Sequence, residues 1–127
     1  MKEYKVIIEN NGTKSYYKPN TNILHNEDGP AVEESNGAKY WYINGKHHRE
    51  DGPAIEYSNS TKYWYINDKL HNENGPAIEY SNGTKYWYIN GKRLTESEFN
   101  NSNKVELTLD EIAKKFNINI NQLKIKK

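Results

Sequence analysis

The chain contains no cysteine, which excludes disulfides and thiolate metal sites and leaves packing and hydrogen bonds to hold it together. Neither sign of charge dominates: 18 Lys and Arg stand against 17 Asp and Glu, a formal net charge of +1. Bulk charge therefore steers it toward neither nucleic acid nor anionic lipid, and direct nucleic-acid binding is not expected. No apolar run approaches the roughly 20 residues of a spanning helix. The opening MKEYKVIIENNG also lacks the apolar stretch of a secretory signal. A cytoplasmic protein with no membrane partner is the expectation. Apolar residues are scarce, 34% in all with only 2 Phe and 1 Met, so a thick two-layer core lacks material. What the chain has instead is 11 Tyr and 3 Trp. Each large ring buries much area, so few residues can build a thin sheet. Such evenly spaced aromatics are the opposite of a disordered composition.

The aromatics recur. KYWYIN occurs at 39–44, 62–67 and 85–90, a step of 23 residues. A second marker, GPA followed by Val or Ile and then Glu, keeps the same step from Gly29, Gly52 and Gly75. A fixed period of this size denotes stacked supersecondary units. The units fall at about 4–28, 29–51, 52–74 and 75–97. The fold class expected is mainly β: an antiparallel meander of four hairpin units, a single elongated sheet with a C-terminal capping helix. Residues 1–99 form the repeat domain, and 100–127 a linker, a helix and a short final strand.

Two turns per unit set the strands. Asn11-Gly12, Asn36-Gly37, Asn59-Ser60 and Asn82-Gly83 read as two-residue hairpin turns, as do Asn44-Gly45, Asn67-Asp68 and Asn90-Gly91. This register places Ile55 opposite Trp64 and Glu56 opposite Tyr63, with Trp64 also opposite His71 and Tyr65 opposite Leu70. One face then carries Ile55, Tyr57, Trp64, Ile66 and His71, and reads as the core side, with Trp41, Trp64 and Trp87 in equivalent buried positions. The other carries Ala54, Glu56, Tyr63, Tyr65 and Leu70.

The first unit is degenerate, with Tyr16 at the Trp position and Pro19-Asn20-Thr21-Asn22 in place of the second tight turn. Terminal repeats that cap a stack are expected to be atypical. Beyond a polar linker at 100–104 the apolar period changes to that of a helix. Thr108 and Glu111 read as a capping box, and Leu109, Ile112, Ala113 and Phe116 lie on one helical face. Too little chain follows for the second helix that a helix-turn-helix or LysM module needs.

The units WYINGKHHREDGPAIEY and WYINDKLHNENGPAIEY resemble the WY-x-NG-x-x-HRE-D-GPA repeats of proteins from phages, giant viruses and some bacteria. The match runs from about Ile23 to Leu94, and the tail is similar to the helical tail that follows those repeats in phage proteins. The period is also similar to that of MORN repeats, although their Tyr-Gly spacing is absent. The resemblance implies an elongated sheet in a small intracellular viral factor that interferes with a host process such as bacterial defence. The partner implied is a host protein or complex, or a small nucleotide signal. The expectation is a non-enzymatic binding protein.

Three residue sets could carry chemistry. His25, His48 and His71 are each followed two residues later by Glu27, Glu50 or Glu73. They read as metal ligands, as bases of a hydrolase or nuclease oriented by carboxylates, or as side chains packed on tryptophan. Leu94 takes the same register opposite Trp87, which favours packing, and ligands must converge at about 2 Å whereas these lie strands apart. No metal or cofactor is expected. Asp28, Asp51 and Asn74 precede Gly-Pro, where a short polar side chain bonds its own backbone in a turn. Finally, Tyr40, Tyr42, Tyr63, Tyr65, Tyr86 and Tyr88 form a regular row opposite the tryptophans. Such a row binds a protein, a nucleobase or a sugar, because each ring has a flat apolar face and a polar tip. Choline- and glucan-binding repeats share the cadence, which keeps a carbohydrate-binding module as an alternative. The candidate surface is this Tyr row together with His48, Glu50, His71 and Glu73. A homodimer through open sheet edges is a further expectation.

Overall fold

The computed structural model describes residues 3–102 and shows a mainly β protein built as an open antiparallel meander. The first unit supplies β1 (Lys5–Ile8) and β2 (Lys14–Tyr17). The second supplies β3 (Val32–Glu33), β4 (Lys39–Tyr40), β5 (Tyr42–Ile43) and β6 (Lys46–His47). The third repeats this as β7 (Ile55–Glu56), β8 (Lys62–Tyr63), β9 (Tyr65–Ile66) and β10 (Lys69–Leu70). The fourth gives β11 (Ile78–Glu79), β12 (Lys85–Ile89) and β13 (Lys92–Leu94). A nine-stranded sheet runs β1-β2-β3-β4-β7-β8-β11-β12-β13, and β5-β6 and β9-β10 form two side ribbons. Among the described residues no helix is long and apolar enough to cross a membrane.

The first turn of each unit differs from the sequence expectation by one residue. Tyr57 N–H donates to Thr61 O and Ser60 N–H to Tyr57 O, closing a three-residue loop, and the other units do the same from Glu9, Glu34 and Tyr80. Only the last loop residue has positive φ: 93° at Gly12, 95° at Gly37, 76° at Ser60 and 91° at Gly83. This is a type I turn followed by a left-handed residue, not a type I′ turn. The cause is the asparagine: the Oδ1 of Asn11, Asn36, Asn59 and Asn82 accepts the N–H two residues on, at 2.9–3.0 Å, which holds the asparagine itself out of the left-handed region. The second turns are type I′ as expected, with positive φ at Asn44, Gly45, Asn67, Asp68, Asn90 and Gly91.

One residue of slip moves side chains to the opposite face. Ile55 pairs with Tyr63, not Trp64, and Glu56 with Lys62. Ile55 thus lies between Tyr40 and Tyr63, and Ile78 between Tyr63 and Tyr86, so the isoleucines belong to the tyrosine face. Tyr57 joins that face as well. The other face carries an alternating row, Lys14, Glu33, Lys39, Glu56, Lys62, Glu79 and Lys85, each opposite the next across the strands. Opposite charges directly across a ladder stabilise it and like charges oppose it, so the row also specifies the register.

The buried positions are small. Ala31, Ala54 and Ala77 are fully buried, joined by Ile55, Ile78 and Phe99, whereas all three tryptophans are half-buried. The expectation of a buried indole spine therefore gives way to a sheet whose indoles are only half-covered. Trp41 and Trp64 are hinges between ladders. Trp64 N–H donates to Ala77 O of the next unit, while its carbonyl accepts His71 N–H of its own; Trp41 does the same with Ala54 and His48. The strand breaks there into β4 and β5, or β8 and β9. No GPA follows Trp87, and β12 runs through unbroken.

After β13, Thr95 and Glu98 form a reciprocal capping box, 3.0 and 3.1 Å, that opens α1 (Glu96–Ser102). These bonds hold the Glu98 carboxyl below its ordinary range. Phe99 buries itself as α1 packs on β12 and β13. The polar linker read at 100–104 is therefore helical through Ser102. The helix read from Thr108 and the final strand lie outside the described residues.

Ser60 sits where the other units place glycine. Ser60→Gly should raise stability by about 0.5–1 kcal/mol, by removing the left-handed strain of a side-chain-bearing residue. The check is a higher urea midpoint at unchanged slope. A neutral or lower midpoint would contradict this turn geometry.

Candidate functional site

The tyrosine face is built by the pairing just described. Tyr40, Tyr63 and Tyr86 flank the isoleucines, and Tyr57 and Tyr80 fill the diagonals between them. The rings meet edge to face in an unbroken row: Tyr40–Tyr57 at 6.0 Å, Tyr57–Tyr63 at 5.9 Å, Tyr63–Tyr80 at 6.1 Å and Tyr80–Tyr86 at 5.9 Å. Aromatic pairs favour this geometry because positive ring edges meet negative ring faces, worth about 0.5–1.5 kcal/mol each beyond area burial. The Arg93 guanidinium closes the row 4.4 Å from the Tyr86 ring. Burial, then the Glu34 carboxylate beside it, push the Tyr40 phenol up to about 12. Burial, then a hydrogen bond with Tyr80, do the same for Tyr63, again to about 12. Tyr57 and Tyr80 remain 38% and 37% exposed and carry the row's outer surface.

A second tier lies on the side ribbons. Tyr42 and Tyr65 stack on either side of His47, with ring centroids 4.2 and 5.1 Å away. Burial raises both phenols. Tyr88, on β12, pairs with Arg93. The expected row of Tyr40, Tyr42, Tyr63, Tyr65, Tyr86 and Tyr88 therefore shares one face, with Tyr57, Tyr80 and His47 added. Sequence reasoning missed His47, although the signal was there: Leu24 and Leu70 occupy its place in the neighbouring units. Its Nδ1 is buried and makes no hydrogen bond among the described residues.

His48, Glu50, His71 and Glu73 lie on the opposite face, so the structure does not bring them to the tyrosine row. Their role follows from where the ring nitrogens point. Nδ1 of His25, His48 and His71 accepts the N–H of Asn44, Asn67 and Asn90, at 2.9, 3.1 and 3.0 Å. Each of those asparagines opens the type I′ turn of the following unit. Nε2 stands 3.6, 3.5 and 3.4 Å from Glu27, Glu50 and Glu73. Accepting at Nδ1 leaves the ring proton on Nε2, facing the carboxylate. Each histidine is thus a clip between successive units, and its lone pair is already used. This also fits Leu94: among the described residues no fifth turn follows the fourth unit to offer that position an N–H.

No protein-family model, curated protein or solved structure matches this chain.

Between the clips run grooves floored by tryptophan. The larger, about 620 Å³, lies between the loop of the first unit (Glu27, Asp28) and Trp41, Ile43, His48 and Arg49 of the second. Its equivalent in the next unit, at Trp64, Ile66 and His71, is about 290 Å³. Arg49 lies 3.9 Å over the Trp41 ring and bonds Asp51 (3.0 Å), the Pro53 carbonyl (3.1 Å) and Glu56 (3.4 Å). In the other units asparagine performs the Pro-carbonyl part of this task, with Asn26 Nδ2 to Pro30 O at 3.0 Å and Asn72 Nδ2 to Pro76 O at 2.9 Å. Those asparagines also accept the N–H of Asp28 and Asn74. The Gly-Pro turn is therefore held by the asparagine two residues before Asp28 and Asn74. At Gly52 an added Cβ would lie 2.8 Å from Arg49 Cζ, so a side chain there would displace the guanidinium. Among the described residues no group of three or more His, Asp or Glu is placed to hold a metal.

Two measurements test these assignments. His48→Leu, which copies the residue at 94, should cost about 1 kcal/mol through the lost clip, read by urea titration; an unchanged midpoint would reject the clip. His47 gives a pH dependence. Burial lowers it from its ordinary value of 6.5, with Asp68 and a backbone hydrogen bond at Trp41 pulling the other way. The unfolded chain then takes up the proton before the folded one does, so stability is full above 6.5 and falls as pH drops below it toward the folded value. His47→Leu should flatten the stability profile in that window, and an unaltered profile would show that another group governs it.

Proposed function

We propose that this chain is a non-enzymatic binding protein whose tyrosine face docks on a partner protein. The observation that carries the reading is the unbroken edge-to-face row from Tyr40 to Tyr86, seated on buried isoleucines with Tyr57 and Tyr80 outermost. Tyrosine dominates binding hot spots because a ring already fixed by its neighbours loses little freedom on docking while offering apolar area and a hydroxyl. In the setting implied by the WY-x-NG-x-x-HRE-D-GPA resemblance, the chain is a viral or mobile-element factor in the host cytoplasm. It blocks a host protein or complex, with a bacterial defence system the leading target.

The alternatives have less support. A hydrolase or nuclease built on the His–Glu pairs would need a lone pair of His25, His48 or His71 that is free to take a proton, and the clips use those lone pairs. Capture of a nucleotide signal would use the Trp41 groove, but its rim carries Glu27, Asp28, Glu50 and Asp51, which repel phosphates, and Arg49 already serves Asp51 and Glu56.

The test compares the wild type with Tyr57→Ser/Tyr80→Ser as baits in host extract, followed by mass spectrometry of proteins and released small molecules. One host protein should be held by the wild type and lost at least about tenfold by the variant, as expected when exposed hot-spot rings are truncated. Equal retention by both would remove the tyrosine face from recognition. A nucleotide released from both would favour the groove instead.

A further inference from the structure

β1 is the outer strand of the nine-stranded sheet, and no described strand lies along its far side. Its backbone facing is fixed by its own hairpin. Glu9 N–H donates to Thr13 O across the turn, and the register continues through Ile7↔Ser15 and Lys5↔Tyr17. Lys5, Ile7 and Glu9 therefore spend their backbone groups on β2, and Val6 and Ile8 turn theirs outward. Soluble proteins blunt such edges with charge, proline or a bulge. Here the reverse holds. The Lys/Glu row that runs from β12 to β2 ends at Lys14, whose partner on β1 is Ile8. Ile8 is 65% exposed, with Val6 at 45% and Ile7 at 42% beside it.

We propose that the occupant of this edge is β1 of a second copy of the chain, paired antiparallel about a twofold axis through Ile7. The sequence Lys5-Val6-Ile7-Ile8-Glu9 complements itself in that register alone. Lys5 falls opposite Glu9 of the partner subunit, Ile7 opposite its own copy, and Val6 opposite the partner's Ile8. Val6 and Ile8 are the residues whose N–H and C=O point outward, so Val6 and the partner's Ile8 exchange both of their backbone bonds, as the hydrogen-bonded pairs of a ladder must. Ile7 and the Lys5–Glu9 pairs take the closer, non-bonded positions where side chains interact most. The Lys5 ammonium already leans over the Tyr17 ring at 4.9 Å and bonds Asn22 at 2.7 Å. That lean is toward β2, so on pairing the ammonium swings outward to the partner's Glu9 on the same face of the sheet. A twofold contact of this kind is isologous and closes, so it yields a dimer with one continuous sheet and no fibre.

Sedimentation equilibrium of the full chain tests this, from about 5 to about 300 μM because the contact is at the small end of interfaces. The wild type should form a dimer within that range. Lys5→Glu and Glu9→Lys should each weaken it by about tenfold, since each sets like charges opposite each other at both ends of the ladder. The double exchange should recover the wild-type constant, an outcome that loss of a structural contact within one chain would not produce. Ile8→Lys should abolish association while circular dichroism stays unchanged. A chain that is monomeric throughout, or a dimer indifferent to the charge exchange, overturns the proposal.

Discussion

In each unit the side-chain oxygen of Asn11, Asn36, Asn59 or Asn82 accepts the N–H two residues on, and a loop of three residues results. That bond decides the register of the hairpin pairs β1–β2, β3–β4, β7–β8 and β11–β12 of the main sheet. With it, tyrosine stands across from isoleucine and lysine across from glutamate; with a two-residue turn, both rows would be scrambled between the faces. A period of two leaves no intermediate arrangement, so one local hydrogen bond is repeated into a property of the whole surface.

A sheet one layer thick has almost no interior, and each unit depends on its neighbours. Alanine at 31, 54 and 77 is fully buried, with its backbone bonded to the strands on both sides. The peptide of Trp41 and Trp64 reaches forward to the next alanine, and the histidine of each unit receives the next turn's N–H. These contacts are between nearest neighbours only, the energetic pattern of a linear repeat array. Departures appear at the ends: Tyr16 and a longer loop in the first unit, Leu94 and α1 in the last.

The two faces consequently have different work. On one, charge alternation, clips and the Arg49–Trp41 stack consume the polar chemistry internally. On the other, rings are braced by rings, with Tyr57 and Tyr80 outermost. The second unit is the individual one, because His47 and Arg49 replace the leucine and asparagine of its neighbours and change both surfaces locally.

The amino-acid sequence alone determined the meander, its period, the type I′ turns and the opposition of Trp87 and Leu94, because alternation and turn chemistry are local. The tyrosine row was legible for the same reason. It did not determine which residues accompany that row: Asn-Gly serves both a two-residue and a three-residue loop, and only the closed hydrogen bonds choose between them. Nor could it assign the histidines, whose partners are turns nineteen residues further on. Whether a lone pair is free or already taken depends on what lies beside it, and tertiary structure alone put the next unit there.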